Sequence, residues 1–191
     1  MYYLGNFQMA KNTSATKPHP TRDKILSAAF QLFIERGYEG ASLNNIVSES
    51  GVSKGAFYHY FPSKLSVFQH TIDTFFLMPF ENFSMNKLAK LSPRKARAAL
   101  RKHYASLPEQ ISAVTDQHFA RVYALMFDSF ARLPEFHQDI DRVYSKLIKS
   151  LAKAFETPKT SPKAAKRKAR KFIAQLEGEI FLQAVQNSPT T

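Results

Sequence analysis

Cysteine is absent from the 191 residues, which rules out a disulfide framework and a thiolate metal site and agrees with a reducing, cytoplasmic compartment. No apolar run approaches the roughly 18 residues that a membrane-spanning helix needs, so no membrane segment is expected. The first twenty residues, MYYLGNFQMAKNTSATKPHP, lack a basic start and a continuous apolar core, so they read as a flexible arm rather than a secretory signal. Strand-period alternation and internal repeats are also missing. The six histidines show no metal-ligand spacing, and no nucleophile, base and orienting group can be nominated together. No catalytic residue, metal ligand or cofactor is therefore expected, and an enzyme is the poorer reading.

What is present is helical. Hydrophobic residues make up 44% of the chain, a globular level, and they recur at helical spacing from Thr21 onward. The net charge of +12 points to a polyanionic partner, yet its placement is uneven. Through residue 77 seven Lys and Arg face five Asp and Glu, whereas the rest of the chain carries twenty against ten. Overall basicity thus says little about the segment that reads most like a nucleic-acid binder.

That segment is SLNNIVSESGVSKGAFYHYFPSK, residues 42–64. Ser42 is a helix N-cap for Leu43 to Glu49, Gly51 turns the chain, and Ser53 caps a second helix from Lys54 to about Tyr60. Pro62 disfavours α geometry at Phe61 and stops it. Two helices joined by so short a turn cross steeply, and the second leads with a cation, a Gly, a hydroxyl and an imidazole. Such a two-turn helix suits a DNA major groove. Ahead of it, Ile25, Ala28, Ala29, Leu32 and Phe33 form one helix face between a Thr21 cap and a Gly37 stop, predicted to pack on Ile46, Val52, Phe57 and Phe61.

The run from Thr21 through Lys64 resembles the TetR (tetracycline repressor) family of bacterial transcriptional regulators. Ile25, Ala28, Ala29, Phe33, Gly37, Tyr38, Ser42, Ile46, Gly51, Val52, Ser53, Gly55, Tyr58, Tyr60, Phe61, Ser63 and Lys64 carry the resemblance. Val47 and Ser50 depart from it, standing where the family usually places Ala. The resemblance implies base-edge or groove contact for Lys54, Gly55, Tyr58 and His59, and phosphate contact for Ser42, Ser53, Tyr60 and Lys64. The plainer alternative is an ordinary polar surface.

Beyond Lys64, Leu65, Phe68, Ile72, Phe75 and Phe76 predict a bracing helix reaching the Pro79 region, and residues 79–92 read as helix end or loop. Pro93 opens a helix that Pro108 should close; another runs from about Asp116 to Arg132 and ends at Pro134. Residues 135–156 form a long helix, TPKTSP is a loop, and a last helix spans about Lys163 to Gln186. Phe76, Phe80, Phe83, Phe119, Tyr123, Met126 and Phe127 are candidates to line an effector pocket, on the resemblance and the 17 phenylalanines; plain core packing is the alternative. Arg94, Arg97, Arg101, Lys102, Arg121 and Arg132 either select an anionic effector or form a solvated face. The LEGEIFLQAV segment resembles the family's closing dimer helix, which implies an interface from Tyr144, Leu147, Leu151, Leu176, Gly178, Ile180, Phe181 and Val185, with Gly178 admitting another helix closely.

The expected fold is all-α: an arm (1–20), a three-helix helix-turn-helix DNA-binding domain (21–64), and a larger C-terminal helical domain for effector binding and dimerisation (65–191). The expected function is a ligand-responsive regulator, a repressor that binds a palindromic double-stranded DNA operator as a homodimer and is released by a small-molecule effector. A sequence-nonspecific DNA-packaging protein using the basic 159–171 run is the alternative.

Overall fold

A computed structural model describes residues 19–115 and 119–186. Among them there is no strand, only an isolated bridge between Thr157 and Thr160, and the protein is all-α. The arm expected over 1–20 lies outside the described residues except for His19 and Pro20. Helix α1, Pro20–Gly40, starts with Pro20 in its first turn, where a missing N–H costs nothing, so the cap expected at Thr21 is not used. Gly37 breaks α1 as anticipated, with φ 69°, and one further turn reaches Gly40.

Two compact units make up the chain: residues up to Asn82 with Gln110–Pro134, and Phe83–Glu109 with the residues from Glu135 on. In the first, α2 (Leu43–Ser50), α3 (Lys54–Tyr60) and α4 (Lys64–Ile72) pack on α1, and so does α8 (Phe119–Arg132). Their shared core is Ile25, Ala29, Phe30, Phe33, Ile46, Phe57, Phe61, Phe68 and Ile72, all at most 1% exposed. Phe33 meets Phe68 edge-on at 5.0 Å, so α4 braces the three-helix core as its apolar pattern predicts. Thr71 and Thr74 each donate a hydroxyl to the carbonyl four residues back, at 2.7 Å, which competes with the helix ladder. A π-helical turn over Asp73–Leu77 follows, and Phe75 within it stacks on Phe30 at 4.0 Å. The short α5, Met78–Glu81, keeps Pro79 in its first turn.

In the second unit α6 (Met85–Leu88) gives residues 79–92 more helix than their mixed pattern suggests. Helix α7, Pro93–Ser112, runs through Pro108 instead of ending there, and its last three residues, 110–112, fall in the first unit. Proline removes one ladder bond, but Ile111 beyond it is 7% exposed, and that burial carries the helix one more turn. Helices α9 (Phe136–Phe155) and α10 (Pro162–Gln186) form a hairpin across a turn closed by Thr160 N–H to the Thr157 carbonyl, 2.9 Å. Residues 116–118, where α8 was expected to begin, lie outside the described residues.

Candidate nucleic-acid interface

The helix-turn-helix is built from local chemistry. Asn45 N–H donates to Ser42 Oγ at 3.1 Å, and the Asn45 side chain answers the Ser42 backbone N–H at 3.2 Å, a reciprocal capping box. Gly51 closes α2 in the left-handed region, φ 64°, where a side chain would be strained. Ser53 Oγ then accepts from Ala56 N–H at 3.1 Å, and Ser63 Oγ from Ser66 N–H at 3.0 Å. Each start of α2, α3 and α4 is therefore fixed by one serine.

Phe57 points inward and is fully buried, which turns Lys54, Gly55, Tyr58 and His59 outward; Tyr58 is 44% exposed. All four proposed groove residues share the outer side of α3. Nothing lies within 4 Å of a Cβ built on Gly55, so the chain's own packing does not require glycine there. Tyr60 is half-buried between the rings of His59, at 5.1 Å, and His19, at 6.1 Å. The Ser42 hydroxyl is engaged by Asn45 within that capping box.

Lys64 is not a free surface cation. Its ammonium donates to the Glu39 carbonyl at 3.3 Å and stands 4.3 Å from the Tyr38 ring centroid. The same ring carries the Arg132 guanidinium at 4.4 Å, and Arg132 Nη1 donates to Glu39 Oε1 at 2.8 Å. Asp128 receives Arg132 Nε at 2.9 Å; this hydrogen bond is the first of the effects that raise the arginine's pKa. Burial, the largest influence, pushes the Tyr38 phenol above its usual range. Arg121 Nη1 donates to the Glu35 carbonyl at 2.7 Å and to that of Ile34 at 3.3 Å. Gly37 interrupts the α1 ladder just beyond, so these carbonyls need an outside donor. From the sequence Arg121 and Arg132 stand between an anionic-effector site and a solvated face; in the structure both contact the end of α1. Only their residue type was legible, because their partners lie some ninety positions away.

The other candidates separate. Phe119 and Tyr123 meet edge-on at 5.8 Å, and Phe76, Phe80 and Met126 are half-buried in the same unit. Phe127 is 59% exposed and does not line an interior. Phe83 belongs to the second unit, 4.5 Å from the ring of His103, whose imidazole burial pushes down to about 4. Of the interface candidates, Leu147, Leu151, Leu176 and Ile180 are buried in the α9–α10 core, and none is more than 8% exposed. Helical spacing could not tell packing on a hairpin partner from packing on a second copy. Tyr144 is half-buried and donates to Glu177 Oε1 at 2.5 Å, beside Tyr104 at 2.7 Å. The residues left outward are Phe181, Val185 and the unanticipated Leu182, 45%, 52% and 56% exposed, with open space around Gly178.

Among the described residues no group of His, Asp or Glu side chains is placed to hold a metal, and no helix is long and apolar enough to cross a membrane.

Residues 25–71 match the family profile described as bacterial regulatory proteins, tetR family. An uncharacterized HTH-type transcriptional regulator from Lactococcus lactis is 26% identical over 173 residues, covering 86% of this chain and 84% of that one. The biofilm operon icaADBC HTH-type negative transcriptional regulator IcaR of Staphylococcus aureus is 24% identical over 143 residues, covering 72% and 71%. A transcriptional regulator from Aquifex aeolicus VF5 shares the fold, with a TM-score of 0.67, 22% identity, and coverage of 89% of this chain and 90% of that one.

Proposed function

We propose that this chain, a member of the TetR family of bacterial transcriptional regulators, is a repressor that binds a palindromic DNA operator as a cytoplasmic homodimer and is released by a small-molecule effector. The observation that carries the reading is the outer side of α3. Lys54, Gly55, Tyr58 and His59 lie together there, and glycine at 55 weakens a helix whose own packing does not ask for it. A backbone allowed to approach closely, flanked by a cation and two hydrogen-bonding rings, is suited to base edges in a major groove. Ser53, Tyr60 and Lys64 stand around that helix as phosphate contacts, which fix register rather than sequence.

The reading segment is residues 21–64, and residues 65–191 supply effector binding and pairing. Half-buried Phe76, Phe80, Phe119, Tyr123 and Met126 favour an apolar effector surface. Exposed Phe181, Leu182 and Val185 with the open Gly178 favour a second copy against the end of α10. Two-fold pairing repeats the α3 contact, so the operator is palindromic. An effector acts by preferring a dimer whose two α3 helices are wrongly spaced.

Footprinting on duplexes selected by the protein tests this. A bounded protected site with two-fold symmetry is expected, lost in the Lys54→Ala/Tyr58→Ala variant while the dimer persists. Uniform coverage with steep salt dependence would instead establish sequence-nonspecific packaging. One observation favours that second reading: Arg94, Lys95, Arg97, Arg101 and Lys102 on α7 and Lys163, Lys166, Arg167, Lys168, Arg170 and Lys171 on α10 are all exposed, with no acidic residue among them in either stretch.

A further inference from the structure

We infer that Arg132, the last residue of α8, is a positioning residue for DNA binding: it holds Tyr38 and Glu39 where they set the ammonium of Lys64. The inference rests on the reading of Lys64 as a phosphate contact. Two residues link the two cations. Arg132 takes the Glu39 carboxylate at 2.8 Å and the Tyr38 ring at 4.4 Å; Lys64 takes the Glu39 carbonyl at 3.3 Å and the same ring at 4.3 Å. Displacing Arg132 therefore disturbs both groups that hold Lys64.

Tyr38 also packs on Phe33 at 5.9 Å and on Phe68 at 4.8 Å, so the exposed Glu39 is the group that depends most on Arg132. Tyr38 and Glu39 both follow Gly37, whose φ of 69° interrupts the regular ladder of α1. Arg121 ties down the carbonyls of Ile34 and Glu35 on the near side of that break, and Arg132 grips the far side. Arg132 is itself prepared: both Asp128 oxygens accept its Nε at 2.9 Å, one helical turn back. Stability does not explain the cluster, because the Glu39 side chain is 76% exposed and a pair so open to solvent adds little. A guanidinium fork that binds a carboxylate and covers a ring fixes geometry, which lysine at 132 could not reproduce.

Arg132 also lies at the end of its unit. Pro134 ends the first unit two residues later, so Arg132 is the last charged group before the chain passes into the second.

The experiment is a double-mutant cycle on the dimer, using the duplex selected by the wild-type protein, with affinity measured across a salt series. Lys64→Met is expected to weaken binding about three- to tenfold and to lower the salt slope by about one, as loss of one phosphate contact does. Arg132→Met is expected to give a similar loss and a similar drop in slope. The double variant is expected to be no worse than Lys64→Met alone. Losses that multiply, or no loss from Arg132→Met, would overturn the inference. Glu39→Gln repeats the test with an exposed substitution that spares the fold, and its loss should likewise vanish in the Lys64→Met background. If Lys64→Met alone changes nothing, Lys64 is no phosphate contact and the inference falls with it, while the α3 assignment is judged separately by Lys54→Ala/Tyr58→Ala.

Discussion

Helix α3 offers one lysine to its surroundings, whereas the first ten residues of α10 offer six cations, and the poorer of the two is the one proposed to read sequence. Both are solvent-facing helix starts. On α10 the charges are repeated and interchangeable, the pattern that adheres to any polyanion and falls away with salt. On α3 a cation, a glycine, a phenol and an imidazole occupy fixed places on a helix whose start and stop are set by Ser53 and Phe61. Specificity comes from dissimilar groups in a rigid order, and abundance of charge contributes adhesion alone.

The comparison can be broken most directly at α3. Lys54→Ala with Tyr58→Ala should weaken operator binding by about 3 kcal/mol, on the order of a hundredfold, while binding to random duplex changes only a few-fold, as read by competition gel shift. Acid should separate the two units next. His103, in the second unit, has its folded pKa near 4 against an unfolded value of 6.5, so the unfolded chain binds the extra proton between them. Stability is therefore whole above about 6.5 and falls by up to about 3 kcal/mol as pH drops to about 4. In the first unit burial raises the Asp23 carboxyl above 3.8, and lowering the pH through that raised value adds stability. Thermal melts of wild type and His103→Leu across pH 4–7 should show the acid loss only in the wild type.

A smaller effect is expected at α10. Replacing its six cations from Lys163 to Lys171 with Gln should flatten the salt dependence of random-duplex binding and leave the operator footprint in place; a vanished footprint would erase the contrast with α3. The smallest effects sharpen it. Gly55→Ala and Gly178→Ala each fill open space in a helix and should raise stability by up to about 1 kcal/mol in denaturant melts. The first should nonetheless lose operator affinity, and the second should loosen the dimer in sedimentation.

Near residues 42–64 the sequence is almost a drawing of the structure, because Ser42, Gly51, Ser53 and Ser63 act within three or four positions of themselves. The extents of α9 and α10 and the TPKTSP loop between them were also legible from apolar spacing and proline, but their packing on each other was not. Pro108 misled because its local penalty is outweighed by the burial of Ile111. For the two arginines of α8 the obstacle was distance: a guanidinium that caps Glu35 or grips Glu39 looks, in one dimension, like any surface charge. Leu147 and Leu176 posed a third difficulty, since spacing identifies a buried face without naming its neighbour.

The packing of α8 on α1 also sets an order of events during synthesis. Helices α1 to α5 leave the ribosome as a set that is still missing its last wall, and some fifty further residues must follow before Arg132 arrives. At roughly 5–20 residues per second the nascent helix-turn-helix waits several seconds, half-covered, for a segment encoded well downstream. A gene cut after residue 82 would encode every side chain proposed to face DNA and still lack the helix that packs on α1.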